Sequence, residues 1–248
     1  MSFDPALDQT AHRPWPLPDR PWAMTQSWHN LLFAHWRVDE RLLRPLIPPA
    51  FDVDTFNGSA WLGIVAFTMT NVATRPLPAL PWLSSFPELN VRTYVRPRDG
   101  KRGVFFFSLD AARTLAVLAA RAMVSLPYHP AAMRVARDGS AFRYRSRRWG
   151  GAAEFEATYE PTGPPAVPAR GTLEFFLTER YCLYHLDLLG RPSRLEIHHA
   201  PWQLQPARAE IARNTMADAV GVRLQGPPLL HFAQRQDAVA WWPRALRV

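Results

Sequence analysis

Polar side chains recur at every second position along residues 87–95, where they could bind a small molecule and exchange a proton with it. A strand there directs Glu88, Asn90, Arg92 and Tyr94 to one face, because side chains alternate along a strand. The row supplies an acid, an amide, a guanidinium and a phenol. Enclosed by apolar residues, such a convergent set is the usual form of a ligand site.

The elements around this row determine whether it is internal. Asp99-Gly100 is a strong hairpin signal directly after the strand. A two-residue loop there predicts these cross-strand pairs: Tyr94 with Phe105, Arg92 with Phe107, and Asn90 with Leu109. The return arm 104–109 is apolar on both faces, which is typical of a strand covered on both sides. A covered row would be an internal site, whereas an exposed row would make Glu88 and Arg92 an ordinary surface ion pair.

A helix and a proline-bounded segment are predicted after the hairpin. Asp110 is a candidate N-cap for a helix over 111–124, which must end before the next proline. The segment Pro127-Tyr128-His129-Pro130 follows, and its prolines make the backbone stiffer than that of a free loop. A tyrosine and a histidine are therefore held in defined positions.

The rest of the chain is dominated by strand patterns. In a strand over 26–38, His29, Leu31, Phe33 and His35 share a face, and both histidines are interpreted as structural. The other predicted elements, in order, are a short helix over 40–46 capped by Asp39, strands over 51–56 and 60–71, a proline-rich loop over 74–86, strands over 132–136, 141–149, 153–159, 179–187 and 195–199, a helix over 207–219, and one or two closing strands within 229–242.

The net charge of +8 raises the question of nucleic-acid binding, and the arrangement of the arginines argues against it. Gly150-Gly151 is a hairpin signal, and a two-residue turn there places Arg147 across from Glu154 and Arg145 across from Glu156. These pairs neutralise the basic stripe within its own hairpin. We therefore expect no nucleic-acid partner.

Cysteine usage, motifs and hydropathy narrow the classes of protein to which the chain could belong. The single cysteine, Cys182, forms neither an internal disulfide nor a cysteine-based zinc cluster. The sequence has no phosphate-binding loop, dinucleotide-binding glycine pattern, calcium loop or metalloprotease motif, so we expect no metal and no cofactor. No apolar run approaches the roughly 18 residues of a membrane helix, and the start lacks a leader pattern. We expect a cytoplasmic protein that is not associated with a membrane.

The predicted domain organisation is an extended arm over 1–24 followed by a single domain over 25–248. The arm is rich in Pro, Asp and Arg, and no composition shift or flexible linker divides the remainder. Trp15 and Trp22 in the arm, with the proline-rich loop, offer apolar anchors of the kind that a homodimer interface uses.

Several stretches together resemble the YqjF-like uncharacterised bacterial family of the acetoacetate decarboxylase-like superfamily. They are Trp28-His29, Pro45-Leu46-Ile47-Pro48-Pro49, Ala60-Trp61-Leu62-Gly63, the row 87–95, Phe106-Phe107-Ser108-Leu109-Asp110-Ala111, Leu126-Pro127-Tyr128, Thr178-Glu179-Arg180-Tyr181 and His199-Ala200-Pro201-Trp202. The resemblance covers about 25–242. It implies an α+β, β-rich fold: a curved mixed or antiparallel β-barrel with a few short helices around an apolar cavity.

The resemblance also implies a site, with one departure from its chemistry. The decarboxylases form a Schiff base on a buried lysine, and Tyr128 stands at the matching position here, where a phenol cannot form an imine. The chain's lysine, Lys101, falls in the predicted hairpin turn. The resemblance matches Glu88 to the family's acidic cavity position, and either Arg92 or Arg113 to its arginine.

The leading hypothesis is therefore a protein that holds a small anionic or carbonyl-bearing ligand without imine chemistry. Arg92 pairs with a ligand carboxylate, Tyr94 and Tyr128 donate hydrogen bonds, and Glu88 either orients Arg92 or acts as acid or base with Tyr128. Asn90, Phe107, Arg113 and His129 complete the candidate site. Whether a reaction is catalysed stays open, and the alternative is a non-catalytic scaffold or interaction protein in which the polar row only stabilises the barrel.

Overall fold

Strands make up most of the computed structural model, which describes residues 8–75, 85–112, 126–187 and 189–246. They are β1 (Met24–Val38), β2 (Phe51–Val53), β3 (Ala60–Thr74), β4 (Phe86–Pro97), β5 (Gly103–Ala111), β6 (Tyr128–Asp138), β7 (Ala141–Arg148), β8 (Glu154–Pro161), β9 (Cys182–Leu186), β10 (Pro192–His199), β11 (Gln205–Asn214), β12 (Leu229–Ala240) and β13 (Arg244–Ala245). The helices in these ranges are α1 (Glu40–Leu43) and α2 (Leu173–Thr178), with 3-10 turns at Arg44–Leu46 and Asp218–Val220. No helix in them is long and apolar enough to cross a membrane.

A closed barrel forms because the hydrogen-bonded strand order returns to its start. The ring runs β4, β3, β1, β12, β10, β9, β5 and back to β4. Most pairs are antiparallel, whereas β5 pairs with β9 and with β6 in parallel. The predicted β-rich fold, a curved mixed barrel with few short helices, is confirmed.

A second sheet of β6, β7, β8 and β11 is joined to the barrel at β5 and β12. Its inner face, with Tyr144 and Phe155, packs against Leu32, Ala66 and Leu89 on the outer face of the barrel. The predicted pairs Arg145 with Glu156 and Arg147 with Glu154 are confirmed in the register of β7 and β8. The barrel strands β1, β3 and β4 are therefore covered on both sides.

The helix predicted over 207–219 is wrong, because residues 205–214 form β11. Its sequence contains good helix formers, but pairing with β8 decides the conformation, since tertiary context overrides intrinsic propensity. Arg208 forms an ion pair with its register partner Glu160 at 2.5 Å, and Arg213 forms one with Glu154 at 2.7 Å, two residues from its register partner Glu156. The short helix capped by Asp39 is confirmed: the Asp39 carboxylate accepts a hydrogen bond from the Arg41 N–H.

A β-bulge in β1 changes which side chains enter the barrel. Asn30 has a φ of 52°, and the pairing of β1 with β3 shifts between His29 and Leu32. Leu31, Phe33 and His35 keep the predicted common face, but His29 does not share it and instead hydrogen-bonds the Thr70 hydroxyl at 2.9 Å. Trp28 packs inward in its place.

A second bulge lies in the predicted hairpin. Asn90 pairs with Leu109 as expected, but Arg92 pairs with Phe106 and Tyr94 with Val104, because the loop is longer than two residues and Phe107 is left without a partner in the register. The predicted pairs of Arg92 and Tyr94 are therefore wrong by one residue.

Two predicted elements lie almost wholly outside the described residues, namely the helix over 111–124, with Arg113, and the loop over 74–86. Asp110, predicted to cap that helix, lies in β5 instead. At the start of the described chain, Arg13 donates a hydrogen bond to the Ile197 carbonyl at 2.8 Å, and the Trp241 indole donates one to the Arg20 carbonyl at 2.7 Å.

Candidate functional site

The polar row of β4 lies on the inner face of the barrel. Glu88, Asn90 and Tyr94 are 2%, 5% and 0% exposed, and Arg92 is half-buried. The alternative of an exposed surface pair is therefore wrong. Burial of an acid, an amide and a phenol has a cost unless their polar atoms find partners, so those partners define the site.

Glu88 and Tyr128 form the first part of the site. The parallel pairing of β6 with β5 sets Tyr128 beside Leu109, and the Tyr128 hydroxyl donates a hydrogen bond to Glu88 Oε2 at 2.9 Å. Phe67, directly across from Glu88 on β3, belongs to the apolar cluster that surrounds the pair. The structure thus joins the two residues that sequence reasoning selected for proton chemistry.

The surroundings of this pair favour protonated forms. Burial raises the pKa of Glu88 to about 8, the Tyr128 hydrogen bond opposes that rise, and nearby Asp110 adds to it. Burial and the adjacent Glu88 raise the pKa of Tyr128 well above its ordinary value. Near neutral pH the phenol therefore keeps its proton, while the carboxyl can gain or lose one.

Asp110 itself belongs to an ion pair rather than to the site. It is fully buried and receives hydrogen bonds from Arg148 Nη2 at 2.6 Å and Arg148 Nε at 3.0 Å. Burial raises the pKa of Asp110, and the Arg148 guanidinium opposes that rise. The pair connects β5 to the end of β7.

Arg92 and Tyr94 share one backbone acceptor. Arg92 Nη2 donates to the Leu177 carbonyl at 3.1 Å, and the Tyr94 hydroxyl donates to the same oxygen at 2.8 Å. The Arg92 guanidinium lies 5.6 Å from the centre of the Phe33 ring. Its Nε has no hydrogen-bond partner among the described residues, so these residues satisfy only part of the hydrogen-bonding capacity of the guanidinium.

His35 was not predicted as a site residue, yet it completes this group. Its Nε2 lies 2.7 Å from the Tyr94 hydroxyl. Because that hydroxyl donates to Leu177, His35 donates from Nε2, which leaves Nδ1 as an acceptor with no partner in the described part of the chain. Burial, and the positive charge of Arg92, hold the pKa of His35 well below its ordinary value, so the ring is neutral.

Gly63 makes room for this arrangement. It pairs with both His35 and Arg92, and a Cβ at this position would lie 2.9 Å from His35 Cδ2 and 3.5 Å from Arg92 Cγ. Only a residue without a side chain lets the ring and the arginine stem meet over the strand. Gly63 was visible in the sequence as part of a quoted motif. That it makes room for His35 and Arg92 could be learned only from the pairing of β1, β3 and β4.

The remaining predicted site residues are not brought together. Phe107 packs with the outer cluster because of the bulge, and Phe106 faces inward in its place. His129 follows Tyr128 on β6 and so points to the opposite face. Arg113 lies outside the described residues.

Two other kinds of chemistry are not supported by the described residues. Among them no cluster of His, Cys, Asp or Glu could hold a metal ion. Burial raises the pKa of Cys182 to about 12, so its thiol keeps its proton.

The barrel places this chain in a known structural class. It is similar to acetoacetate decarboxylase from Legionella pneumophila (TM-score 0.65, 14% identity, 98% of this chain and 95% of that one). It is also similar to an acetoacetate decarboxylase-like enzyme from Sphingomonas wittichii RW1 (TM-score 0.62, 13% identity, 92% and 94%). A third similar structure is the enduracididine biosynthesis enzyme MppR, complexed with the condensation product of pyruvate and imidazole 4-carboxaldehyde (TM-score 0.65, 12% identity, 91% and 90%). At these identities the likeness establishes the acetoacetate decarboxylase-like fold.

Sequence comparison then gives the family. Residues 25–237 match the DUF2071 family, described as "Uncharacterized conserved protein (COG2071)". The chain is also 45% identical over 227 residues to "Uncharacterized protein YqjF" of Bacillus subtilis strain 168, covering 91% of this chain and 93% of that protein. This chain belongs to that family, and the resemblance stated from its motifs is confirmed.

Proposed function

We propose that this protein binds a small carbonyl-bearing organic anion inside the barrel and exchanges a proton with it. Arg92 pairs with the carboxylate, and Glu88, assisted by Tyr128, carries the proton. No imine forms during this process. The observation that carries the proposal is the buried hydrogen bond of 2.9 Å between the Tyr128 hydroxyl and Glu88.

Glu88 has the properties of a general acid or base. A catalytic group works best when its pKa lies near the working pH, because both protonation states are then populated. A carboxyl with a pKa of about 8 is a stronger base than an ordinary glutamate when ionised, and it offers a proton when neutral. Tyr128 stays protonated and supplies a fixed hydrogen-bond donor.

Arg92 supports the choice of an anion. Arg92 is only half-buried, although Asn90 and Tyr94 beside it are buried, and its guanidinium lies 5.6 Å from the centre of the inner Phe33 ring. Its guanidinium bonds one backbone carbonyl, and no acidic partner of Arg92 is found among the described residues. A planar guanidinium in apolar surroundings favours a carboxylate, which it can bind through two parallel hydrogen bonds.

Lys101 argues against imine chemistry at this site. It follows the β4–β5 turn, pairs with Glu196 at 3.4 Å and lies 5.5 Å from the Trp15 ring centre. Glu88 pairs with Ala111 at the opposite end of β5, roughly 25 Å away at the usual rise per residue. The phenol at position 128 cannot replace an amine.

The ligands of the similar enzymes are consistent with this class of molecule. MppR is described in complex with pyruvate, a small oxo acid. For this chain, the acid class follows from Arg92, Glu88 and Tyr128, and pyruvate is a suitable first probe.

Thermal shift with small oxo acids tests the proposal. A ligand at 100 times its Kd adds about 2.7 kcal/mol of stability, which for a chain of this size raises Tm by roughly 5 °C. We expect that rise in the wild type and a much smaller one in Arg92→Met and Tyr128→Phe.

Tyr159→Phe is the matched control. Tyr159 is also a buried phenol, but it lies on β8 of the second sheet and donates a hydrogen bond to the Asn30 carbonyl of β1 at 2.7 Å. It should retain the ligand-induced rise. If oxo, hydroxy and aromatic acids leave the wild-type Tm unchanged while Tyr128→Phe lowers it, the polar row is structural and the proposal is wrong.

A further inference from the structure

Burial is uneven among the residues that border the inner apolar cluster of Phe33, Val65 and Phe67. Trp28, Tyr128 and Arg92 are half-buried, whereas Glu88, Asn90, Phe67 and Leu109 beside them are buried. The side chains that retain surface are thus an indole, a phenol and a guanidinium. A ligand that touches them meets an aromatic wall at one end and a cation at the other.

The aromatic wall is built from rings held in place by one another. Trp28 stacks on Trp202 with a centroid distance of 5.9 Å and an interplanar angle of 16°. Phe67 meets Trp28 edge-on at 6.2 Å, and Phe33 meets Trp202 edge-on at 5.0 Å. Stacked and edge-on rings at these distances attract one another, so the indole of Trp28 is fixed before a ligand arrives.

The strand register gives the order of groups along the barrel. On β3, Met69 faces Trp28, Phe67 faces Glu88 and Val65 faces Phe33. The Arg92 guanidinium lies over Phe33, so it is two inward positions from the level of Trp28, or roughly 13 Å at the usual rise per residue. Glu88 and Tyr128 lie between the two ends.

We propose that the ligand is an aryl-substituted oxo acid. Its carboxylate pairs with Arg92, its carbonyl lies at the Glu88 and Tyr128 pair, and its ring packs on Trp28. This inference rests on the proposed function, since it names the substrate class of the same site. A small aliphatic oxo acid would satisfy Arg92 but leave the aromatic wall uncovered.

Competing ligands that differ only in the ring test the inference. Binding of pyruvate and of phenylpyruvate is measured by titration calorimetry with the wild type, Trp28→Leu and Trp28→Phe. We expect phenylpyruvate to bind the wild type at least about tenfold more tightly, from ring stacking and apolar burial. Trp28→Leu should weaken phenylpyruvate binding much more than pyruvate binding and so remove that preference, while Trp28→Phe should keep most of it.

Trp149→Leu is the control, because this indole is 59% exposed at the end of the second sheet. It should alter neither affinity. Equal affinities of the two acids for the wild type, with pyruvate still dependent on Arg92, would overturn the aryl inference and leave the proposed function intact. Failure of both acids to bind would overturn the two together, and melting curves of each variant show that it is folded.

Discussion

Glu88 shows how a single buried side chain can acquire chemistry from its surroundings. Phe67, Phe33 and the other inner rings remove water from the carboxyl group, so its charged form is disfavoured. Tyr128 contributes one hydrogen bond and keeps its own proton. The resulting pair can exchange a proton near neutral pH, a range in which an ordinary surface glutamate is fully ionised.

Replacing Glu88 by glutamine should change how stability depends on pH. The pKa of Glu88 is about 8 in the folded protein and 4.5 as its ordinary value, so its contribution to stability is fully present below pH 4.5. That contribution is lost as pH rises towards and through 8, because the folded state must then hold a buried charge. The full difference corresponds to roughly 5 kcal/mol.

Chemical denaturation between pH 4 and pH 9 measures this effect. Relative to the wild type, Glu88→Gln should gain stability between about pH 4.5 and pH 8 and level off above that, because glutamine retains the hydrogen bond from Tyr128 without a charge. Glu156→Gln serves as the control, since it removes a surface glutamate of the Arg145 pair. Parallel curves for Glu88→Gln and the wild type would contradict the raised pKa.

For single residues, the sequence predicted the direction of the side chains correctly where a strand alternates strictly. Glu88, Asn90, Arg92 and Tyr94 were predicted to share a face, and they do. His35 was predicted to be structural because a lone histidine carries no sign of its neighbours. Its place between Tyr94 and Gly63 depends on pairing across β1, β3 and β4, which periodicity within one strand does not contain.

At the level of elements, two bulges explain the main errors. Asn30 reverses the alternation of β1 and brings Trp28 inward, and Phe107 reverses that of β5 and brings Phe106 inward. A one-residue slip moves every following side chain to the other face of a sheet. Except for β11, the strands could therefore largely be predicted from the sequence, whereas the inward-facing residues on one side of each bulge, in β1 and β5, could not.

The Asp54 and Arg180 pair connects elements that hold the site. Arg180 Nη1 donates to Asp54 Oδ2 at 2.8 Å, and Arg180 Nε donates to the Phe176 carbonyl at 2.6 Å in α2. Both side chains are buried. The pair thus fixes the end of α2, whose Leu177 carbonyl accepts hydrogen bonds from Arg92 and Tyr94.

Asp54→Asn should destabilise the protein by about 3 to 5 kcal/mol, because it leaves a buried guanidinium without its counter-charge. Equilibrium unfolding in urea measures the loss. Asp138→Asn is the comparison, since Asp138 pairs with Arg143 at 2.7 Å and both side chains are 65% exposed. That variant should lose less than about 1 kcal/mol, and similar losses for the two would show that the buried pair is not structural.

On the scale of the whole molecule, closure of the barrel turns a polar row into an enclosed site. Strand β4 supplies Glu88 and Arg92, β6 supplies Tyr128, and β1 supplies His35 and Trp28. No short window of the sequence contains this closure. The fold was nevertheless predicted, because motifs spread from 25 to 242 matched a family rather than because any strand pattern required a barrel.

The central claim is that Glu88 exchanges a proton with a carbonyl acid held in the barrel. Proton NMR of pyruvate in deuterium oxide measures this exchange directly. As deuterium replaces the methyl protons on the carbon next to the carbonyl, their signal is lost. The account predicts exchange above the buffer rate with the wild type, and a rate at least about 100-fold lower with Glu88→Gln. Unchanged exchange in Glu88→Gln, or none with a wild type saturated by pyruvate, would contradict it.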